Sequence, residues 1–508
     1  MIIKGSNSDR EIEMRSTSSG NRHNRIVMVP ALALAAGLTL GSSAMAQNGT
    51  WLPTSGSHSF NEPGSWVGNL PPGTSGVAIF DNNFGGTANF TAGATIAQLS
   101  LRNTANAILF DLQGQALNIG TTGPGIQVSN AASQVNDITF TGGSVSVTSG
   151  NAFNIGVSGS HGNKLTFTGA GMQYNNTATG TGSNVGPAGS NNNTLSVLNN
   201  AHLSVLHNIT VGSTTSTGNS VVVNNASLMF PGGSRGMVLQ TGNSLTVTNS
   251  LMTAPSSTFH PNSNVTFNSG TMGFRNTTIN TGSPFVVGDG GATKATLALV
   301  FSFSSALNLT ANHGIHLNSN GRLVGSNTSG AIIGNVSGVA GAQIAPSVVT
   351  GATLAHQGNF GRMNITGNLN HTNINTILQL GDFPTTLANV VPPATFTPPA
   401  DRLFVNGTFT HGGEITIDLT HYVPPEDQDY EVQLMGWTSL MGDPSQTMVT
   451  FIGGPGGSSV GGVGALSSSA LPYEFRSDGL YVTAQVPEPA AISLLAFMGA
   501  GLLIRRRR

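Results

Sequence analysis

The sequence contains no cysteine among its 508 residues, which excludes a disulfide framework, a thiolate metal site and a cysteine nucleophile. Charged residues make up 7% of the chain, against about 25% in ordinary soluble domains. Stability must therefore come from buried apolar surface and backbone pairing, with little help from cross-links or ion pairs.

Glycine, by contrast, is abundant, with 68 residues, and Val, Ile and Thr recur at alternating positions. Disordered chains are usually charged and poor in β-branched residues, so this composition favours a folded, turn-rich β protein. A chain of 508 residues also exceeds the size of one ordinary core, which predicts several domains or one elongated repeat architecture.

The central part of the chain, residues 47–486, is mildly acidic. It holds nine Lys and Arg against sixteen Asp and Glu, a net charge of −7. Phosphate binding needs clustered basic residues, so a nucleic-acid partner is not expected.

The N-terminal region has the pattern of a secretory signal peptide. Arg22 and Arg25 precede an apolar run at residues 26–40, and Ala44 and Ala46 flank Met45 in the small-x-small pattern that signal peptidase accepts. We predict a signal helix and a signal peptide at residues 1–46, with cleavage after Ala46.

The C-terminal residues 486–508 combine a proline-bracketed glutamate, an apolar segment and a basic cluster. The first is Val486, Pro487, Glu488 and Pro489, and the last is Arg505, Arg506, Arg507 and Arg508. The apolar residues 490–504 predict a helix of about 22 Å at ~1.5 Å per residue, a marginal span for a hydrocarbon core of ~30 Å. The arginines favour the cytoplasmic side of the membrane, which places the Pro-Glu-Pro motif on the outer side. Pro487 and Pro489 cannot continue a helix, so they hold the motif extended just outside the membrane.

This tail resembles the PEP-CTERM sorting signal of bacterial proteins, whose three parts occur here in the same order at the terminus. The resemblance implies recognition by a membrane-embedded exosortase, cleavage near the motif, and delivery to the cell surface or the extracellular polysaccharide matrix. A permanent tail anchor is the alternative. Both place residues 47–485 outside the cytoplasm.

Residues 47–120 form an opening segment rich in aromatic residues. The stretch "SWVGNLPPG", with Trp66, Gly68 and Asn69, resembles the opening segment of autotransporter-like, repeat-rich surface proteins. We expect Trp51, Phe60, Trp66 and Phe80 to cover the open end of a stack of strands. Carbohydrate stacking on Trp51 or Trp66 is the alternative.

Residues 121–380 repeat a short pattern of alternating apolar and polar residues. Asn163, Asn193, Asn219 and Asn243 each open one unit, at steps of 30, 26 and 24 residues, and a similar unit opens at Ser263. Alternation predicts strands with one buried face, and steps in the twenties fit the turns of a parallel β-solenoid. The repeated asparagines predict a ladder of stacked side chains. A tandem of antiparallel β-sandwiches is the alternative fold.

The acids are concentrated near the C-terminal end, where ten of the sixteen lie between residues 401 and 482. Alternating runs there predict a C-terminal β module at residues 401–485, and the Pro-rich residues 381–400 predict a linker. The fold prediction is thus all-β, a parallel β-solenoid with this module at its end.

No catalytic, cofactor-binding or metal-binding residue is predicted. Between residues 112 and 380 the only acids are Asp137 and Asp289, which are too far apart in the repeat order to act as a catalytic pair. Residues three or five apart on a strand point to opposite faces, so neither His202 with His207 nor His313 with His316 is expected to bind a metal, and these histidines are expected in solvent or turns.

The expected function is that of an exported, exosortase-processed structural or adhesive protein of the cell surface or extracellular matrix, without catalysis. Its expected partners are signal peptidase, exosortase, the membrane through the tail, and an extracellular polysaccharide. The alternative is a polysaccharide-active enzyme or carbohydrate-binding protein on a β-helix scaffold.

Overall fold

Strands that have an apolar side chain at every second position bury one face. In this chain the strands bury these faces by stacking on one another along one column. The computed structural model describes residues 46–484 except 105, 121–122, 133, 149, 158, 178–179, 181, 232–233, 300–307, 326–330, 348–359, 382–399, 421, 423–428, 454–458 and 462–470. The predicted signal helix and C-terminal apolar helix lie outside the described residues.

The described chain winds repeatedly through three strand positions, which we call faces 1, 2 and 3. Face 1 contains β1 (Gly49–Thr50), β3 (Val77–Phe80), β6 (Gln98–Leu101), β9 (Pro124–Val128), β12 (Asn151–Ile155), β15 (Ser183–Val185), β18 (Ile209–Val211), β21 (Met237–Leu239), β24 (Thr258–Phe259), β27 (Thr277–Ile279), β30 (Leu309–Ala311), β33 (Ala331–Ile333) and β36 (Arg362–Thr366).

Face 2 contains β2 (Ser55–Ser59), β4 (Gly85–Asn89), β7 (Asn106–Asp111), β10 (Asn136–Thr141), β13 (Lys164–Thr168), β16 (Thr194–Leu198), β19 (Ser220–Asn224), β22 (Ser244–Thr248), β25 (Asn264–Phe267), β28 (Phe285–Val287), β31 (Ile315–Leu317), β34 (Val336–Gly338) and β37 (Leu369–Asn370).

Face 3 contains β5 (Ala94–Ile96), β8 (Ala116–Ile119), β11 (Ser144–Val147), β14 (Gln173–Asn176), β17 (His202–Val205), β20 (Ser227–Met229), β23 (Ser250–Thr253), β26 (Gly270–Phe274), β29 (Ala295–Leu299), β32 (Gly321–Val324), β35 (Gln343–Ala345), β38 (Asn375–Gln379), β40 (Glu414–Asp418), β42 (Met448–Ile452) and β43 (Ser459–Gly461).

Two long strands, β39 (Arg402–Thr410) and β41 (Tyr430–Met441), run across faces 1 and 2 and join them into one sheet of 30 strands, while face 3 is a sheet of 15. Pairing is parallel throughout the stack, from β1 on β3 to β40 on β42. The fold is therefore the predicted parallel β-solenoid, and tandem antiparallel sandwiches are excluded.

Among the described strands, antiparallel pairs occur at the C-terminal end of the stack, and isolated antiparallel bridges join Trp51 to Trp66 and Ser213 to Ser216. At the C-terminal end, β45 (Gly479–Ala484) lies against β41, β44 (Tyr473–Arg476) lies against β45, and β43 lies against β42. The first strands of the acidic C-terminal region continue the parallel sheets, since β39 pairs with β36 and β40 with β38. Short 3-10 helices occupy Pro63–Ser65, Val67–Asn69 and Pro444–Gln446.

The core is a set of vertical columns, each built from one inward position of successive strands. Leu165, Leu195, Val221 and Leu245 are neighbours in register on face 2, and all are fully buried. Burying such a side chain contributes about 1.5–3 kcal/mol, and each strand obtains it only because another strand lies above and below it.

Aromatic rings fill the core against the first strands. Trp51 packs 5.0 Å from Trp66 and 4.9 Å from Phe80 between ring centroids, and the Trp66 indole N–H donates to the Phe60 carbonyl at 2.9 Å. The solenoid thus begins at Gly49, within the opening segment, whose first strands carry little of the alternation seen later.

Candidate functional site

The residues predicted to direct export lie at or beyond the ends of the described chain. Ala46 is the first described residue and is exposed to solvent. Ala44, the sorting motif Val486, Pro487, Glu488 and Pro489, and the cluster Arg505, Arg506, Arg507 and Arg508 lie outside the described residues. Among the helices of the described residues, none has the length and apolar character needed to cross a membrane.

The predicted asparagine ladder is confirmed. It runs through one corner of the solenoid and consists of Asn103, Asn136, Asn163, Asn193, Asn219 and Asn243, each at most 1% exposed. In each step the backbone N–H of one asparagine donates to the side-chain Oδ1 of the next, at 2.9–3.0 Å. In the last three steps the side-chain Nδ2 donates to the same oxygen at 2.9–3.0 Å.

The ladder lies at the start of the face 2 strands β10, β13, β16, β19 and β22. Backbone groups at a corner leave the sheet and would be buried without partners, at a cost of about 1–3 kcal/mol each. The asparagine side chains satisfy these groups from one turn to the next. The ladder is therefore structural, and its amides are buried where a ligand does not reach them.

The histidines divide into exposed-face and buried groups. His202 and His316 lie outward, where their Nδ1 atoms contact Ser227 Oγ at 2.6 Å and Ser337 Oγ at 3.0 Å. His207 lies in the turn between β17 and β18, which agrees with the turn position expected for it, but it is fully buried there, with its Nε2 at 3.0 Å from Ser183 Oγ. Burial, with a smaller contribution from Arg235, lowers the His207 pKa to about 4. Within the described residues, no group of three or more potential metal-ligating side chains converges.

Asp137 and Asp289 lie far apart, as predicted. Asp137 is in β10 and pairs with Lys164 at 3.5 Å, whereas Asp289 follows β28 and accepts a hydrogen bond from Asn320 Nδ2 at 3.0 Å. Six strand steps separate β10 from β28 on face 2, or about 29 Å at the usual ~4.8 Å per step. These two carboxylates cannot act on one bond.

A buried carboxylate that the sequence did not reveal lies before β39. Asp401 is fully buried, and its two oxygens accept the backbone N–H groups of Gly361 at 2.7 Å and Gln379 at 3.0 Å. Burial raises the Asp401 pKa to about 7, opposed by these hydrogen bonds and reinforced by the nearby charge of Asp418. Both oxygens are used to join neighbouring turns, which is a structural role.

The aromatic residues proposed as sugar platforms are inaccessible. Trp51 and Trp66 are both 0% exposed within the aromatic cluster, so carbohydrate stacking on either of them is excluded. Any surface on which this column acts must be sought among the outward side chains of the strands.

A regular outward surface lies on face 2, from β10 to β25. Its side chains form three columns, and we call this surface the hydroxyl face: Asp137, Lys164, Thr194, Ser220, Ser244 and Asn264; Thr139, Thr166, Ser196, Val222, Thr246 and Thr266; and Thr141, Thr168, Leu198, Asn224, Thr248 and Asn268. Thr and Ser supply eleven of these positions, and the pattern Thr-x-Thr occurs in β10, β13 and β22.

No protein-family model matches the chain, and no curated protein or solved structure shows significant similarity to it.

Proposed function

We propose that the chain is an exported, exosortase-processed protein of the cell surface or extracellular matrix, with a structural or adhesive role and no catalysis. The observation that carries the proposal is the tail, in which Pro487, Glu488 and Pro489 precede an apolar segment and four terminal arginines. A signal-peptide pattern at the opposite end makes the tail accessible from outside the membrane.

The shape of the described chain supports this role. A column of parallel strands presents long outer faces whose residues are free of the demands of the core. The buried polar groups described above, the asparagine ladder and Asp401, make their hydrogen bonds within the protein. Such a body acts through extended surface, which suits a matrix component.

The test is intact mass and fractionation of the full chain in a host with and without its exosortase. We expect loss of the residues beyond about Val486 and release from the membrane only when the enzyme is present. Glu488→Ala should block this release, whereas Glu474→Ala, an exposed glutamate of β44, should not affect it. An uncut, membrane-held tail in both strains would make the chain a tail-anchored envelope protein.

A further inference from the structure

The hydroxyl face is flat because its strands keep one register. From β10 to β25 the paired residues of neighbouring strands keep one register, with no shift between strands. Rows are therefore about 4.8 Å apart, and outward positions within a parallel strand are about 6.6 Å apart. The asparagine ladder lies at the start of five of these six strands, β10 to β22, and its buried hydrogen bonds connect them from inside the column.

The side chains of the grid are short and pre-ordered. Thr and Ser lose little conformational freedom on binding, and each hydroxyl both donates and accepts hydrogen bonds. Neighbouring rows already contact one another, as between Thr194 Oγ1 and Ser220 Oγ at 2.9 Å. A ligand would meet a surface that needs little rearrangement.

The hydroxyl face is also electrically neutral. Its two charged groups, Asp137 and Lys164, are adjacent and pair at 3.5 Å. The remaining positions are uncharged, although residues 47–486 carry a net charge of −7. An uncharged partner could cover this surface without removing water from an unpaired charge.

The other faces lack this combination. Face 1 exposes one central residue in most of its short strands, such as Thr210 in β18 and Thr278 in β27. Face 3 carries bulkier outward groups, including Gln173, His202 and Leu251.

We propose that the hydroxyl face binds an uncharged polysaccharide, whose own hydroxyl groups exchange hydrogen bonds with the rows of Thr, Ser and Asn. This inference deepens the proposed matrix function by naming the surface and the class of partner. The grid spans about 24 Å by 13 Å from the strand spacings, which is small, so one glycan segment binds weakly. Retention then depends on many protein copies engaging one polymer.

The test is native-gel retardation of the full chain, purified as its host exports it, in gels containing hydroxyethylcellulose, the neutral polysaccharide fraction of the host, or alginate. The test variant is Thr166→Glu with Thr246→Glu, three strand steps apart on face 2. The matched control is Thr210→Glu with Thr278→Glu, three steps apart on face 1. Circular dichroism checks that all proteins keep their fold.

We expect retardation by an uncharged glycan that falls roughly tenfold in the face 2 variant and stays within about twofold in the face 1 control, since two charges would interrupt the grid without altering the core. Equal losses in both variants, retardation by alginate alone, or no retardation by either uncharged glycan would overturn the inference. Inhibition of ice recrystallisation without glycan binding would also overturn it, because the grid would then bind a water lattice. The assay does not depend on tail cleavage, so its failure is distinguishable from failure of the sorting proposal.

Discussion

Replacing one asparagine in the middle of the ladder tests whether the ladder stabilises the column. In Asn193 the side-chain Oδ1 accepts from Asn163 N and Asn163 Nδ2, both at 3.0 Å, and Nδ2 donates to Asn219 Oδ1 at 3.0 Å. Asn193→Ala leaves the Asn163 backbone N–H buried without an acceptor and weakens the bonds of its side chain. At about 1–3 kcal/mol per unsatisfied group, we expect a loss of about 3 kcal/mol in the free energy of unfolding.

Asn193→Asp separates lost hydrogen bonds from lost volume. The carboxylate keeps the acceptor for Asn163 but sets a negative oxygen against Asn219 Oδ1, where the amide had donated. Protonation restores a donor, so this variant should be more destabilised, relative to the parent, at pH 7 than at pH 4.

The measurements are urea denaturation followed by circular dichroism, and hydrogen exchange at the Asn163 amide. Unfolding of a stacked column can spread from its ends, so exchange gives the local result and denaturation the global one. The control is Asn224→Ala, an exposed position on the hydroxyl face, expected to stay within about 0.5 kcal/mol. If Asn193→Ala matched this control in both measurements, the ladder would contribute nothing to stability.

Three further predictions concern the asparagine corner, a buried histidine and the aromatic cluster. In Gly186→Ala the new Cβ would clash with Asn219 Oδ1, whereas in Gly171→Ala, at a similar positive φ, the new Cβ meets nothing within 4 Å. By urea denaturation we expect about 1 kcal/mol of destabilisation for Gly171→Ala, from the positive φ alone, and about 1–3 kcal/mol more for Gly186→Ala. Burial lowers the pKa of His371 to about 4, so below about pH 6.5 the unfolded chain binds a proton there that the native chain does not. The free energy of unfolding should therefore fall as pH drops from 6.5 to 4. The difference in this free energy between the parent and His371→Gln should shrink by about 3 kcal/mol over that range. Trp51→Ala should cost about 3–5 kcal/mol, while Leu52→Ala, 53% exposed beside it, should leave the melting temperature nearly unchanged; equal shifts would contradict the cluster's role.

Much of the fold could be predicted because successive turns of a solenoid place the same residue types at the same positions. Asn163, Asn193, Asn219 and Asn243 occupy the same corner in successive turns, and the apolar residues two and four positions after each one point into the core. Each of these turns needs a buried asparagine at the corner and then a strand of alternating apolar and polar residues. This pattern can be read from the sequence without knowing which strands pair.

The sequence did not predict the burial of residues whose environment depends on contacts with distant parts of the chain. His207 lies in a corner rather than on a strand, so the alternation rule gave no information about its burial. Asp401 is one of ten acids between residues 401 and 482, and only its hydrogen bonds with the Gly361 and Gln379 backbones identify it as an internal connector. The first strands, β1 and β2, are too short or too polar to show a period.

Inside the column the choice of residue is constrained at every turn, because an inward side chain must fit its counterparts above and below and a corner asparagine must meet the next. Outward positions on face 2 are less constrained, since solvent accepts charged, bulky or polar groups there, although strands favour Thr and other β-branched residues. Short hydroxyl groups nevertheless occupy eleven of the eighteen positions of the hydroxyl face, and its two charges neutralise each other. The core does not dictate this composition, which suits a partner that is itself uncharged and rich in hydroxyl groups. The paired substitutions on faces 2 and 1 test whether such a partner binds there, because they add the same charges to two outer faces of one column.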